Sequence, residues 1–248
     1  MIIGGLQKFS LLDYPGRVSA IIFTQGCNFR CHFCYNPMLV WPDVVGRVKY
    51  SAAPDNGEAG QIGHSLIAED DLFAFLAKRR GKLDGVVITG GEPTLHKDLP
   101  EFIGKIKDLG YLVKLDTNGT NPELLKKLIA DKLIDYIAMD LKAPLEKYNI
   151  VVGAAVNLKK IKESVKIIME SGLDYEFRTT LVPGLHAKDD LQKMGAIIKG
   201  ASKWYLQNFK SDINLVNKEY ENARAYTEAE LAEMKKIGER FVGVCEVR

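Results

Sequence analysis

The chain has 248 residues, and its 34 lysines and arginines against 32 aspartates and glutamates give a formal net charge of only +2. This balance argues against a polybasic protein that binds nucleic acid through its overall charge. Hydrophobic residues make up 46% and charged residues 27% of the chain, which is ordinary globular usage and excludes a disordered or collagen-like chain.

The N-terminal segment predicts the compartment. Residues 1–17 contain only short apolar pieces, interrupted by Lys8, Asp13 and Pro15, and so lack the regions of a signal peptide. No apolar run approaches the roughly 18 residues of a membrane span. We therefore expect a cytoplasmic protein, without membrane or nucleic-acid partners, in a compartment where thiols stay reduced.

Short apolar or β-branched runs alternate along the chain with longer stretches of helical period. The predicted strands are 18–24, 86–89, 112–117, 136–140, 175–181 and 204–207. Amphipathic stripes predict helices over 99–109 and 158–169, and further helices are expected near 69–80, 122–133, 188–199 and 228–240. Start signals support two of these helices: Asn121 with Pro122 resembles an N-cap followed by a first-turn proline, and Thr227 with Glu230 forms a capping box.

This order of elements predicts the fold class. Six β/α units indicate an α/β protein with a parallel sheet and right-handed crossovers, curved into a partial TIM-type (βα)6 barrel rather than the complete eight-unit form. A closing strand over 241–247 is a weaker prediction. With no interdomain linker, residues 1–248 are expected to form a single domain, interrupted by an irregular loop insertion at about 42–65. Loops of this length are usually functional lids or disordered insertions.

Three of the four cysteines, Cys27, Cys31 and Cys34, follow the first predicted strand within eight residues. The carboxyl end of a parallel strand is where α/β folds place ligands. Three thiolates on a cubane iron–sulfur cluster leave one iron with an open coordination position, whereas four would close it. The spacing therefore favours a [4Fe–4S] cluster that can bind a reactive molecule.

Two other interpretations of the cysteines stay open on spacing alone. Cys31 and Cys34 could bind zinc with His32 or His64, although no second ligand pair at structural spacing is present. They could also form a redox dithiol, which leaves Cys27 unexplained. Cys245, between β-branched residues near the end of the chain, is predicted to be a small buried side chain rather than a fourth ligand.

The cysteine loop and its flanks resemble a known family. The pattern C-x-x-x-C-x-x-C with Phe33 before the third cysteine is similar to the signature of the radical S-adenosylmethionine enzymes. The flanks Asp13-Tyr14-Pro15-Gly16, Phe23 to Asn28 and Tyr35-Asn36-Pro37 resemble the activating enzymes of glycyl-radical proteins. The similarity is to the anaerobic ribonucleoside-triphosphate reductase activating proteins, related to the pyruvate formate-lyase-activating enzyme.

The resemblance assigns roles to residues at later strand ends. Gly90, Gly91 and Glu92 match the segment that receives the amino group of S-adenosylmethionine, and the two glycines would let a ligand approach the backbone. Asp140 would hold ribose hydroxyls and Lys142 would face the methionyl carboxylate.

The remaining assignments concern supporting residues. Asp116 and Thr117 would support the ribose and carboxylate contacts, and the acids would also hold a monovalent cation in the related enzymes. Phe33, Tyr35 and Arg178 complete the implied cofactor-binding set. An ion pair of Lys142 with Asp116 or Asp140 is a compatible, purely structural interpretation.

The match weakens after the fifth predicted strand. The related enzyme carries a histidine after the sixth strand, where this chain reads Tyr205 to Phe209, with Gln207 as the candidate substitute. His186, after the Pro183-Gly184 turn, is expected to be a solvated or capping residue rather than a catalytic one.

The resemblance implies a radical S-adenosylmethionine barrel and an oxidoreductase reaction. Such an enzyme takes an electron from flavodoxin or ferredoxin, cleaves S-adenosylmethionine reductively at the [4Fe–4S] cluster and uses the 5′-deoxyadenosyl radical. The radical would remove a hydrogen atom from a glycine of a partner enzyme, for which anaerobic ribonucleoside-triphosphate reductase is expected. The alternatives are a radical reaction on a small molecule, as in 7-carboxy-7-deazaguanine synthase, and a zinc or electron-transfer module.

Overall fold

The computed structural model describes residues 1–40 and 66–248. The loop insertion predicted at 42–65 lies outside the described residues. The described strands form one eight-stranded sheet in which spatial order equals chain order. Their bounds are β1 Ile3–Ser10, β2 Ser19–Thr24, β3 Gly85–Gly90, β4 Leu112–Thr117, β5 Tyr136–Asp140, β6 Asp174–Leu181, β7 Lys203–Asn208 and β8 Val244–Val247.

Helices follow the parallel strands and cover the outside of the sheet. They are α1 Pro37–Val40, α2 Glu69–Arg79, α3 Leu99–Asp108, α4 Pro122–Ala130, α5 Tyr148–Val152, α6 Leu158–Glu170, α7 Lys188–Ile197 and α8 Glu228–Gly238. The start signals at two of them are confirmed. Asn121 accepts a hydrogen bond from Leu124 N, and Thr227 forms a reciprocal capping box with Glu230.

Strands β2 to β8 are parallel and β1 pairs with β2 in the antiparallel direction. Within the described part of the chain, the sheet has β1 and β8 as its two edges. The predicted α/β fold is therefore confirmed as an open, partial barrel of six β/α units, with the weakly predicted closing strand present as β8. None of the described helices is long and apolar enough to cross a bilayer.

Strand β1 is the strand that the sequence analysis missed, and the short helices α1 and α5 were not predicted either. Its sequence, IGGLQKFS, contains two adjacent glycines and Lys8, and its exposed residues do not alternate regularly with buried ones. Two register irregularities interrupt its pairing with β2. The alternation of buried and exposed residues that marks a strand is consequently weak here. Strand β1 forms because it pairs with β2 at the edge of the sheet.

The core lies between the sheet and its helices. The stripe predicted over 99–109 places Leu99, Phe102, Ile103 and Ile106 in this core, each at most 2% exposed. Cys245 on β8 is also buried in it, as expected of a small apolar side chain. Packing of the helices against the sheet places the carboxyl ends of β2 to β7 around one opening.

Candidate functional site

One cavity of about 350 Å³ opens at the carboxyl ends of the parallel strands. Every site residue that the sequence predicted lines it: Cys27, Cys31, Phe33, Cys34, Tyr35, Gly90, Gly91, Glu92, Asp116, Thr117, Asp140, Lys142 and Arg178. It is also lined by residues that were not predicted as site residues, among them Asn118 and Thr180, and by Gln207. Gln207, at the end of β7, is the position that the sequence singled out as a candidate substitute.

The cysteine loop begins directly after β2 and is fixed by backbone hydrogen bonds. Cys27 N donates to Val40 O at 3.0 Å, and Arg30 N donates to Val152 O in α5 at 2.7 Å. Cys34 N donates to Cys31 O at 3.0 Å, which closes a turn between the second and third cysteines. The three thiols therefore lie on a loop with a defined backbone path.

Burial controls the ionisation of these thiols. It raises the pKa of Cys27 and of Cys31 to about 12, and it also raises the pKa of Cys34. The free thiols are therefore protonated at neutral pH, and a bound cation would favour the thiolates and release protons.

The donor set fits an iron–sulfur cluster better than a single ion. Among residues 1–40 and 66–248, no three His, Cys, Asp or Glu side chains are close enough together to hold one metal ion. In a cubane cluster each thiolate binds a different iron, so the three sulfurs need not converge on one point. Three cysteines around one cavity match that requirement, and the described residues give no support to the zinc interpretation.

Gly90 and Gly91 tie the end of β3 to the end of β2. A Cβ atom on Gly90 would lie 2.3 Å from Thr24 N, and one on Gly91 would lie 2.0 Å from Gly26 O. Gly91 N donates to Thr24 O, and Glu92 N donates to Gly26 O, both at 2.8 Å. The glycines are thus required by backbone packing just before Cys27, a reason different from the ligand approach expected from the sequence.

Glu92 joins the same strand end to the end of β4. Its Oε1 accepts hydrogen bonds from Thr94 N at 3.1 Å, Thr94 Oγ1 at 2.5 Å and Thr117 Oγ1 at 2.8 Å. Its Oε2 accepts one from Asn118 N at 2.6 Å. Burial raises the pKa of Glu92, although these neutral donors partly offset the effect. Oε2 thus accepts fewer of these hydrogen bonds than Oε1, and Glu92 is among the residues that line the cavity.

A chain of ion pairs crosses the other side of the cavity. Asp116 accepts from Lys114 Nζ at 2.7 Å and from Arg178 at 3.0 Å. Asp140 accepts from Arg178 Nε at 2.9 Å and from Lys142 Nζ at 3.0 Å. The predicted pairing of Lys142 with Asp140 is present, whereas Asp116 pairs with Lys114 and Arg178 instead.

This network carries more positive than negative charge, with three cations against two carboxylates. Burial alone would raise the pKa of Asp116 and of Asp140, but Arg178 and the neighbouring lysines lower both. Burial alone would lower the pKa of Lys142, but Asp140 raises it. Because Asp116 and Asp140 are already neutralised by side chains, the network does not support the monovalent cation implied by the resemblance.

Phe33 and Tyr35 have different surroundings. Phe33 is buried, with Lys142 Nζ 6.0 Å from its ring centroid and the His186 ring packed edge-on at 6.1 Å. Tyr35 Oη accepts a hydrogen bond from Lys210 N at 2.8 Å. Tyr35 therefore contacts the connection after β7 as well as lining the cavity.

His186 was expected to be a solvated or a capping residue; it is fully buried, which corrects the first alternative, and its ring bonds to backbone atoms, which agrees with the second. Its Nδ1 accepts from Val182 N at 3.1 Å, so Nε2 carries the proton and donates to Lys142 O at 2.8 Å. Burial lowers the pKa of His186, in keeping with a neutral ring. The Pro-Gly turn before it contained no signal for this contact, because Lys142 lies 44 residues away in the chain.

Comparison with known proteins identifies the family. The family model described as "Radical SAM superfamily" matches residues 21–194. A Methanocaldococcus jannaschii protein, provisionally named a glycyl-radical enzyme activating enzyme, is 31% identical over the whole of this chain and 95% of its own length. The pyruvate formate-lyase-activating enzyme of Streptococcus mutans is 28% identical over 80% of this chain and 72% of its own.

Two further matches show how widely the fold is used. The 7-carboxy-7-deazaguanine synthase of Thermococcus kodakarensis is 26% identical over 77% of this chain and 74% of its own. Streptococcus suis SuiB, solved with its precursor peptide SuiA, superposes with a TM-score of 0.61 at 15% identity. That superposition covers 92% of this chain, which spans about half (48%) of SuiB.

This chain therefore belongs to the radical S-adenosylmethionine superfamily, whose enzymes use a [4Fe–4S] cluster and S-adenosylmethionine.

Proposed function

We propose that this enzyme generates a glycyl radical on a partner enzyme, anaerobic ribonucleoside-triphosphate reductase. One observation carries the proposal: a single cavity combines the three cysteines with polar groups complementary to S-adenosylmethionine. The relative from M. jannaschii supports the activating role, because the similarity extends over nearly the full length of both chains.

Cys27, Cys31 and Cys34 are the proposed ligands of the cluster. A [4Fe–4S] cluster held by them would supply, once reduced, the electron for cleavage of S-adenosylmethionine into methionine and a 5′-deoxyadenosyl radical. We assign flavodoxin or ferredoxin as the electron donor and the reducing cytoplasm as the compartment, where clustered free thiols persist.

The ionic network is the proposed carboxylate site for S-adenosylmethionine. Its one excess positive charge complements the methionyl carboxylate, and Lys142 has donors beyond the one that it gives to Asp140. Asp140 accepts one hydrogen bond at each oxygen, so both oxygens keep capacity for ribose hydroxyls. Asp116, paired on both sides, supports Arg178.

The amino group of S-adenosylmethionine is assigned to the opposite wall. Glu92 lines the cavity there, and Gly90, Gly91 and Thr117 fix the backbone around it. Phe33 and Tyr35 are assigned to the apolar part of the cofactor.

The proposal is tested with anaerobically reconstituted enzyme, dithionite, S-adenosylmethionine and a candidate anaerobic ribonucleoside-triphosphate reductase. We expect a glycyl-radical EPR doublet that depends on S-adenosylmethionine and disappears in the Cys31→Ala variant. No doublet, together with 5′-deoxyadenosine formation, would contradict the partner assignment and leave the cofactor chemistry standing.

A second candidate is a small-molecule reaction of the 7-carboxy-7-deazaguanine synthase type, favoured by the relative from T. kodakarensis. Mass spectrometry of reaction mixtures with candidate small-molecule substrates distinguishes the two. Formation of the deazaguanine product would replace the activating role.

A further inference from the structure

We propose that the connection between β7 and α8, residues 209–226, positions the second half of the cysteine loop through His32 and does so before any cofactor binds. This inference concerns the metal-free chain and does not depend on which substrate the enzyme uses. It rests on contacts between segments about 185 residues apart in the sequence.

The two halves of the cysteine loop have different anchors. The first half is held by α5: Arg30 N donates to Val152 O at 2.7 Å, and the Phe29 ring packs edge-on against Tyr148 at 6.3 Å. The Arg30 guanidinium also donates to Cys27 O at 2.6 Å. These contacts fix the backbone near the first cysteine.

The second half is held by the connection after β7. Asn217 N donates to His32 O at 3.1 Å, and the Asn217 side-chain amide lies 3.4 Å from His32 Nδ1. The Tyr220 ring stacks on the imidazole, with centroids 5.7 Å apart and planes 7° from parallel. His32 is therefore held both through its backbone carbonyl and through its ring.

His32 lies between two of the proposed ligands. Cys34 N donates to Cys31 O at 3.0 Å, so the peptide of His32 is the middle of a closed turn. Moving His32 would therefore move both thiols. Tyr35, just beyond the turn, accepts a hydrogen bond from Lys210 N, so a third residue of the same connection contacts this half of the loop.

The connection itself is firmly attached to the molecule. Phe209 and Leu215 are buried in the core, at 2% and 0% exposure. Leu215 N donates to Glu221 Oε1 at 2.9 Å, and Asn222 N donates to Ser211 O at 2.8 Å. A segment anchored in this way can hold the cysteine turn in place rather than follow it.

Hydrogen exchange of the metal-free protein under reducing conditions tests this inference. Tyr220→Ala should speed exchange of the amides in 31–36 about fivefold, because one aromatic contact is worth about 1 kcal/mol. Exchange at Arg30, whose amide is bonded to α5, should not change. Tyr220→Phe should restore the wild-type rates, since it keeps the ring.

Phe75→Ala is the matched control, because Phe75 is a half-buried aromatic on α2 that packs near Lys8 and Arg79. It should leave exchange in 31–36 unchanged. Unchanged exchange in Tyr220→Ala, or an equal increase in both halves of the loop, would overturn the inference.

Asn217→Ala decides the outcome if Tyr220→Ala unfolds the whole chain. In this variant, exchange of core amides in α3 reports global stability. Faster amide exchange at 31–36 with unchanged exchange in α3 supports the positioning role. Exchange at 31–36 that stays as slow as in the wild type contradicts it. After reconstitution, iron release to a chelator should also be about fivefold faster in Tyr220→Ala than in Phe75→Ala, by the same free-energy argument.

Discussion

Two groups of buried carboxylates lie at the same edge of the sheet, and the protein accommodates them in opposite ways. Glu92 is surrounded by neutral donors, two hydroxyls and two backbone amides. Asp116 and Asp140 are each paired with two cationic side chains. Burial raises the pKa of Glu92 in spite of its neutral donors, whereas the cations beside Asp116 and Asp140 lower the pKa of those two carboxyls.

The difference separates two tasks within one cavity. The neutral donors around Glu92 come from the turn after β3 and from the end of β4, so this carboxylate joins the two strand ends beside the cysteine loop. The ionic network instead places two cationic groups, Lys142 and Arg178, in the cavity lining beside Asp116 and Asp140. The comparison teaches that a carboxylate here can organise the fold or set the electrostatic field, depending on its donors.

Disrupting the ion pairs of Asp116 should have the largest effect on the free energy of unfolding. Asp116→Asn leaves Lys114, whose side chain is 2% exposed, without a charged partner. Removing one partner of a buried pair costs about 3–5 kcal/mol. We expect a loss of unfolding free energy of that size in urea denaturation of the metal-free protein.

The control for this variant is Asp131→Asn, which removes an exposed i,i+4 pair with Lys127. That change should cost about 0.5 kcal/mol or less. Equal losses in the two variants would show that the network at Asp116 contributes no more than a surface pair.

Disrupting the hydrogen bonds of Glu92 should have a smaller effect on the free energy of unfolding. Glu92→Gln keeps one acceptor oxygen for the Thr94 and Thr117 donors but turns an amide group towards Asn118 N. An unpaired buried donor costs about 1–3 kcal/mol, and losing the buried charge offsets part of this. Denaturation should show a loss below that of Asp116→Asn, with exposed Glu101→Gln as control. A loss larger than that of Asp116→Asn would contradict the division of tasks.

The smallest expected effect is on the pH dependence of stability, which should differ between Asp116 and Glu92. The pKa of Asp116 is lowered, so its stabilisation is present above the ordinary value of 3.8 and is lost as pH falls through the lowered value. The pKa of Glu92 is raised above 4.5, so the folded state takes up its proton first and gains stability as pH falls.

Urea denaturation from pH 7 down to pH 3 should therefore show opposite trends, with a change of at most about 1.4 kcal/mol for each unit of difference between the folded and unfolded pKa. The advantage of wild type over Asp116→Asn should shrink below pH 3.8. Its advantage over Glu92→Gln should grow between pH 7 and pH 4.5. Parallel trends in the two variants would show that the two carboxylates titrate alike.

Much of this site follows from local sequence patterns. The parallel strands had strong apolar runs, and polar residues at their carboxyl ends must meet at one edge, so their meeting there was predictable, whereas the roles of these residues came from the resemblance to radical S-adenosylmethionine enzymes. Strand β1 was not, because Gly4 and Gly5 weaken its alternation and the neighbouring sheet supplies the missing support.

The packing behind the site was less predictable. Gly90 and Gly91 satisfy a close approach to β2 that only the folded sheet creates. His186 bonds to Lys142 O, and Asn217 bonds to His32 O. Such contacts join distant segments through backbone atoms, which every residue carries, so no side-chain pattern marks them in advance.

The most direct test of the central claim is the coupled measurement of iron content and 5′-deoxyadenosine in reconstituted protein. With dithionite and S-adenosylmethionine, we predict about four irons per chain and 5′-deoxyadenosine formation in the wild type, which Cys31→Ala abolishes. A colourless protein holding one zinc, or equal 5′-deoxyadenosine from Cys31→Ala, would contradict the assignment of this cavity as a radical S-adenosylmethionine site.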